Sequence, residues 1–181
     1  AADSGYIVIV SYLLAKNANP NIIINGGTTA LLQAAGKGYY SIVETLINAK
    51  ADLRLAGIYR SGNNDGVDYN MTPLMIAAFN NHDLIVKLLL DKGSEINRIN
   101  EYGANALFYA IAKGNNEVAK TLLENGAEGN ISASYNSYNN ITPLALASTL
   151  GSTDIISSLL IGKANINYKM KDGKTALTWA A

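Results

Sequence analysis

Six copies of one short pattern recur along the 181-residue chain, and their spacing constrains its fold more than any single residue does. An alanine pair or a close substitute stands at Ala1-Ala2, Ala34-Ala35, Ala77-Ala78, Ala110-Ile111, Ala147-Ser148 and Ala180-Ala181. The steps between them are 33, 43, 33, 37 and 33 residues, a period of 33 broken by insertions of 10 and 4. A period of this size marks a stacked array, in which each copy buries its apolar face against its neighbours and not in a core of its own. Thr72-Pro73-Leu74 and Thr142-Pro143-Leu144 precede two of the pairs. Degenerate versions are Thr29-Ala30-Leu31, Asn105-Ala106-Leu107 and Thr175-Ala176-Leu177. In a second phase come Leu13-Leu14, Leu46-Ile47, Leu88-Leu89, Leu122-Leu123 and Leu159-Leu160.

Local chemistry predicts two helices in each copy. Thr72 and Thr142 can N-cap a helix that starts on proline, where the missing N–H costs nothing. The small alanines let a second helix approach closely. Polar breaks such as Gly38-Tyr39-Tyr40 and Gly114-Asn115-Asn116 end the first helix. Ser41 with Glu44 has the spacing of a capping box and is expected to start the second helix in its copy. Ile85, Leu88 and Leu89 recur at helical spacing. Gly93 and Gly126 are expected to close their helices in the left-handed conformation.

The stretches TPLMIAAFNNHDLIVKLLLDKGSEIN (72–97) and TPLALASTLGSTDIISSLLIGKANIN (142–167) resemble ankyrin repeats, and the resemblance reaches over essentially all 181 residues. It implies an all-α solenoid of stacked helix–turn–helix units joined by projecting hairpin-like loops, two of them enlarged. The expected organisation is a single repeat domain over residues 1–181. It comprises a partial repeat 1–28, repeats 29–71, 72–104, 105–141 and 142–174, and a partial repeat 175–181. Because both ends fall on an alanine pair, the chain is expected to be an internal slice of a longer array. It also departs from the family pattern. The histidine that usually follows Thr-Pro-Leu is replaced by Leu32, Met75, Phe108, Ala145 or Thr178, and the copy at Leu107 lacks both the threonine cap and the proline.

Composition narrows the function. With 14 basic and 14 acidic residues the net charge is zero, which favours neither nucleic acid nor an anionic membrane as a partner. No run approaches the roughly 18 apolar residues that span a bilayer. Without cysteine there is no disulfide, thiolate metal site or cysteine nucleophile in this segment. His82 is the only histidine, and no second ligand or orienting carboxylate accompanies it; it is expected to bridge turn and helix. No phosphate-binding loop or paired-carboxylate pattern is present. The chain is expected to be non-catalytic, without cofactor or metal, monomeric, and cytoplasmic or delivered to a host cytosol. Sequons occur at Asn70, Asn130 and Asn140, two of them using the capping threonines Thr72 and Thr142. Leu89 through Asn97 resembles the pattern that asparaginyl hydroxylases modify in animal members; a turn-stabilising Asn97 is the favoured reading.

The family resemblance implies a recognition surface built from loop tips and the exposed side of the first helices. Carried over by repeat phase, the expected partner-binding residues are Tyr69, Met71, Phe79, Glu101, Tyr102, Lys113, Tyr138, Ile141, Leu150 and Lys171. Six of the 11 tyrosines (59, 69, 102, 135, 138 and 168) lie in the inter-repeat connections, where small polar residues are the norm. Tyrosine there reads as a binding hot spot, or as rings packed over their own hairpins. The two insertions, before Thr72 and before Thr142, each carry two of these tyrosines. The expected function is a scaffold that holds a protein partner on its fingers and concave face. The alternative is an architectural spacer inside a large multidomain protein, such as a microbial effector or toxin whose activity lies elsewhere.

Overall fold

A computed structural model describes residues 3–24, 27–60, 68–135 and 138–181. The first alanine pair, the tip residues Asn25 and Gly26, and the middle of both insertions lie outside the described residues. Two compact units divide the chain, Ala1–Ser94 and Glu95–Ala181.

The first unit contains α1 (Asp3–Ala15), α2 (Ala30–Lys37), α3 (Tyr40–Asn48), β1 (Gly57–Arg60), β2 (Asp68–Met71), α4 (Pro73–Phe79) and α5 (Asp83–Asp91). Here α2 packs on α3 and α4, α4 on α5, and α3 on both α1 and α5. First helices thus neighbour first helices, and second helices neighbour second helices. The second unit repeats this with α6 (Ala106–Ala112), α7 (Asn116–Glu124), β3 (Ala133–Tyr135), β4 (Tyr138–Ile141), α8 (Pro143–Thr149), α9 (Thr153–Ile161) and α10 (Ala176–Ala180). In it α6 packs on α7 and α8, α7 on α9, and α8 on α9 and α10. The described parts form an all-α solenoid with small hairpins.

The alanine phase is what allows this stacking. Ala35, Ala77, Ala78, Ala110 and Ala147 are all fully buried. A larger side chain there would force the first helices apart, and overpacking costs about 1–3 kcal/mol. The first helices are capped as expected: Thr29, Thr72 and Thr142 accept hydrogen bonds from the amides of Leu32, Met75 and Ala145 at 3.2 Å each. The copy without threonine is not uncapped. Asn105 Oδ1 accepts from the Phe108 amide at 2.9 Å, and Asn105 Nδ2 donates to the Glu128 carbonyl at 3.1 Å, tying the cap to the following connection.

The second helices start differently from the expected capping box. α3 begins at Tyr40 after Tyr39, which makes no side-chain cap bond, and Ser41 lies inside the helix with its carbonyl accepting from Thr45 Oγ1 at 2.8 Å. The reason is the tightness of the reversal. In four copies a left-handed residue (Gly38, Asn81, Gly114 or Gly151) is followed by one residue and then the helix. Those single residues (Tyr39, His82, Asn115 and Ser152) share φ between −93 and −81° and ψ between 69 and 78°. Backbone geometry, not a side-chain cap, sets the start.

Helix ends follow the expected rule and extend it. Gly93 and Gly126 are left-handed, with φ of 84 and 86°. Lys50 and Lys163 take the same position in their copies at φ of 67 and 62°, although each carries a Cβ.

Candidate protein-interaction surface

Each long connection is a β-hairpin. β1 pairs antiparallel with β2, placing Gly57 opposite Met71 and Tyr59 opposite Tyr69. β3 pairs with β4 with Ala133 opposite Ile141 and Tyr135 opposite Tyr138, the register shifting between them. Side chains alternate across a strand. Gly57 and Met71 are accordingly buried while Ile58 is exposed, and Ala133 and Ile141 are buried.

The hairpins turn aromatic rings onto the first helices. Tyr59 stands edge-on to Phe79, with centroids 5.7 Å apart and planes at 70°, and its hydroxyl donates to Asn80 Oδ1 at 3.0 Å. Tyr135 sits 6.1 Å from Phe108 and 6.2 Å from Tyr109, again edge-on. Edge-to-face contact sets a ring's positive rim against its neighbour's negative face, worth about 0.5–1.5 kcal/mol beyond burial. Both are among the six connection tyrosines but not among the ten residues carried over by repeat phase, and their rings are packed on the molecule itself. Their common origin is legible in retrospect: Gly27 and Gly103, Tyr59 and Tyr135, and Ala30 and Ala106 are pairs at one identical offset along the chain.

The shorter connections support the longer ones. Ser134 donates its amide to the Tyr102 carbonyl at 2.9 Å, and a Cβ on Gly103 would strike the Ser132 carbonyl. At the matching place in the first unit, a Cβ on Gly57 would collide with the Gly27 carbonyl and with Leu32. These close approaches require glycine, since any side chain would separate finger from tip.

The expected contact residues divide into three groups. Met71, Ile141 and Phe79 are corrected: they are 0, 1 and 5% exposed, so none of them offers contact area. Met71 and Ile141 lie on the inward faces of their hairpins, and Phe79 lies beneath Tyr59. Glu101 and Lys171 are exposed, Leu150 is 49% exposed, and Tyr102 and Lys113 are half-buried. Tyr69 and Tyr138 have their backbones in β2 and β4, and their side chains fall outside what is described.

A series of asparagines, missed as a group in the sequence, links successive turns within each unit. Asn21 Nδ2 donates to the Lys50 carbonyl at 3.1 Å while its Oδ1 accepts from the Asp52 amide at 2.7 Å. Asn97 bonds the Gly126 carbonyl and Glu128 amide in the same way, and Asn130 the Lys163 carbonyl and Asn165 amide. Asn97 and Asn130, singled out above for possible modification, therefore have both ends of the amide engaged in holding neighbouring turns. A groove of about 640 Å³ runs between α7 and α9, lined by Leu123, Ala127 and Ile161 with Lys120, Glu124 and Glu128.

His82 is structural. Its Nε2–H donates to the Gly36 carbonyl at 3.1 Å, and a Cβ on Gly38 would come within 2.7 Å of the ring. The ion pairs, such as Lys87–Asp83 at 2.6 Å and Lys120–Glu117 at 3.4 Å, are solvent-exposed and contribute little. Among the described residues no cluster of His, Cys, Asp or Glu could hold a metal ion, and no helix is long and apolar enough to cross a membrane.

Comparison with known families matches residues 53–133 to ankyrin repeats (3 copies), residues 1–47 to ankyrin repeats (many copies) and residues 139–171 to an ankyrin repeat. Over 162 residues, 88% of its length, the chain is 31% identical to the ankyrin repeat and KH domain-containing protein mask-1 of Caenorhabditis elegans. It is 36% identical over 152 residues, 82% of the chain, to a Fowlpox virus protein named for its ankyrin repeats. Over 167 residues, 92% of the chain, it is 32% identical to the E3 ubiquitin-protein ligase XBAT33 of Arabidopsis thaliana. The chain spans 6, 41 and 29% of the lengths of these three relatives.

Proposed function

The chain belongs to the ankyrin-repeat family, and on that premise we propose that it is a non-catalytic scaffold that holds a protein partner on its finger loops and the face of its first helices. Residues 1–181 act in this reading as one repeat domain. The observation that carries it is the pair of enlarged connections. The described ends of both insertions are paired strands at alternate connections, and each seats a tyrosine on the first helices. Strands already paired spend less conformational entropy on binding than an unpaired loop would.

Contact falls to Glu101, Tyr102, Lys113, Leu150 and Lys171, with Tyr69 and Tyr138 from the fingers themselves. Leu150 and the tyrosines supply desolvated area, and the charged residues set register and association rate. The second reading, an architectural spacer in a larger protein, is favoured by the small share of its relatives that the chain spans.

A cross-linked pull-down from the native cell separates the two. A Tyr69→Ala/Tyr102→Ala/Tyr138→Ala variant, shown folded by circular dichroism, should lose a partner that the unaltered protein captures. A Glu124→Lys variant in the groove between α7 and α9 should retain it. Equal capture by all three proteins would overturn the scaffold reading and favour the spacer.

A further inference from the structure

Tyr59 sits on the helices of the first unit much as a ligand would. It belongs to a connection and not to a helix, and it reaches across two copies. Its ring stands against Phe79 of α4, and its O–H donates to Asn80 Oδ1 at 3.0 Å. That acceptor is fixed, because Asn80 Nδ2 donates to the Ile76 carbonyl at 3.0 Å and so orients the amide. Gly36 of α2 is set first by Ile76, and an added Cβ would only touch the Tyr59 ring. A Cβ there would lie 3.4 Å from Tyr59 Cε2 and 2.9 Å from Ile76 Cγ2. An aromatic wall, a floor without a side chain and one oriented acceptor together select a ring bearing an O–H donor. A plain phenyl ring would leave the Asn80 oxygen without its partner.

The present occupant is delivered by a two-stranded ribbon, marginal by itself and anchored here at its helix-proximal end by Met71 and Gly57. It is also only half-buried, whereas Tyr135 in the second unit is 8% exposed between two aromatic rings. Of the two seated rings, that of Tyr59 is the one solvent reaches.

We infer that the seat formed by Gly36, Phe79 and Asn80 is a recognition site for a tyrosine side chain of a protein partner, held in the free molecule by the chain's own Tyr59. This deepens the scaffold reading and rests on it. Partner binding on this face exchanges one phenol for another, and Tyr59 sets the threshold.

The test is an NMR titration of the isotopically labelled chain and its Tyr59→Ala variant with p-cresol and with toluene. The variant should bind p-cresol at least tenfold more tightly than the unaltered chain, with shifts centred on the amides of Gly36, Phe79 and Asn80. Toluene should bind it several-fold more weakly than p-cresol, and adding Asn80→Ala should abolish that preference. No localised shifts in Tyr59→Ala, equal binding by both proteins, or no preference for the phenol would overturn the inference. Native-state hydrogen exchange on the unaltered chain provides a second reading that does not depend on the variant folding. The β1 amides should exchange through openings at least a hundredfold more frequent than those exposing α4. If β1 opens only together with α4, Tyr59 is a fixed part of the core and the inference falls. Phenol binding without any protein partner would sink the scaffold reading and with it the partner's tyrosine as the occupant; a partner captured without phenol binding would sink the seat alone.

Discussion

Lys50 and Lys163 hold left-handed backbone at helix ends, where two other copies use glycine. An L-residue pays about 1–2 kcal/mol of steric strain there, and glycine's greater freedom in the unfolded chain offsets about half of the relief. Lys50→Gly and Lys163→Gly are each expected to stabilise by about 0.5–1 kcal/mol in urea denaturation followed by circular dichroism. Asn105 carries two bonds where the other caps carry one. Asn105→Ala should cost about 2 kcal/mol by the same measurement, and Asn105→Thr, which keeps the cap, about 1 kcal/mol. The threonine caps and the glycine stops at 93 and 126 were legible in the chain because residue type alone dictates those geometries. Ser41 and Glu44 were misread because a capping box needs room before the helix, and the preceding left-handed turn leaves a single residue.

The fingers show how far pattern reading reaches at the scale of the element. Breaks in the 33-residue period located both insertions, but not which way their side chains face. A two-residue period leaves two possible faces, and only what packs beneath decides between them. Met71 and Ile141 look like tip residues by repeat phase, yet the hairpin register turns them inward. The buried ring of Tyr135 gives this a measurable size. Tyr135→Ala should destabilise the protein by about 3–4 kcal/mol, the usual cost of truncating a core aromatic, with a lowered urea midpoint as the readout. Tyr59→Phe keeps the ring contact with Phe79 and removes only the bond to Asn80, so about 1 kcal/mol is expected.

Across the whole molecule, charge and exposed apolar surface act together. The chain has no net charge and an isoelectric point near 6.8, and α1 exposes Tyr6, Val8, Ile9, Tyr12 and Leu13. Near-zero charge removes the repulsion that keeps such patches apart. Solubility is expected to pass through a minimum near pH 6.8, as read by light scattering, and Ile9→Lys with Tyr12→Lys should raise it at that pH. The 33-residue period determined by itself that this chain stacks helical pairs, because alanine spacing and caps are local and recur from copy to copy, with glycine stops in two of them. Tertiary structure alone decided which tyrosines became core and which asparagines became links. Those roles depend on partners about 20 to 35 residues away, such as Asn80 for Tyr59 and Asn165 for Asn130, and no local pattern records them.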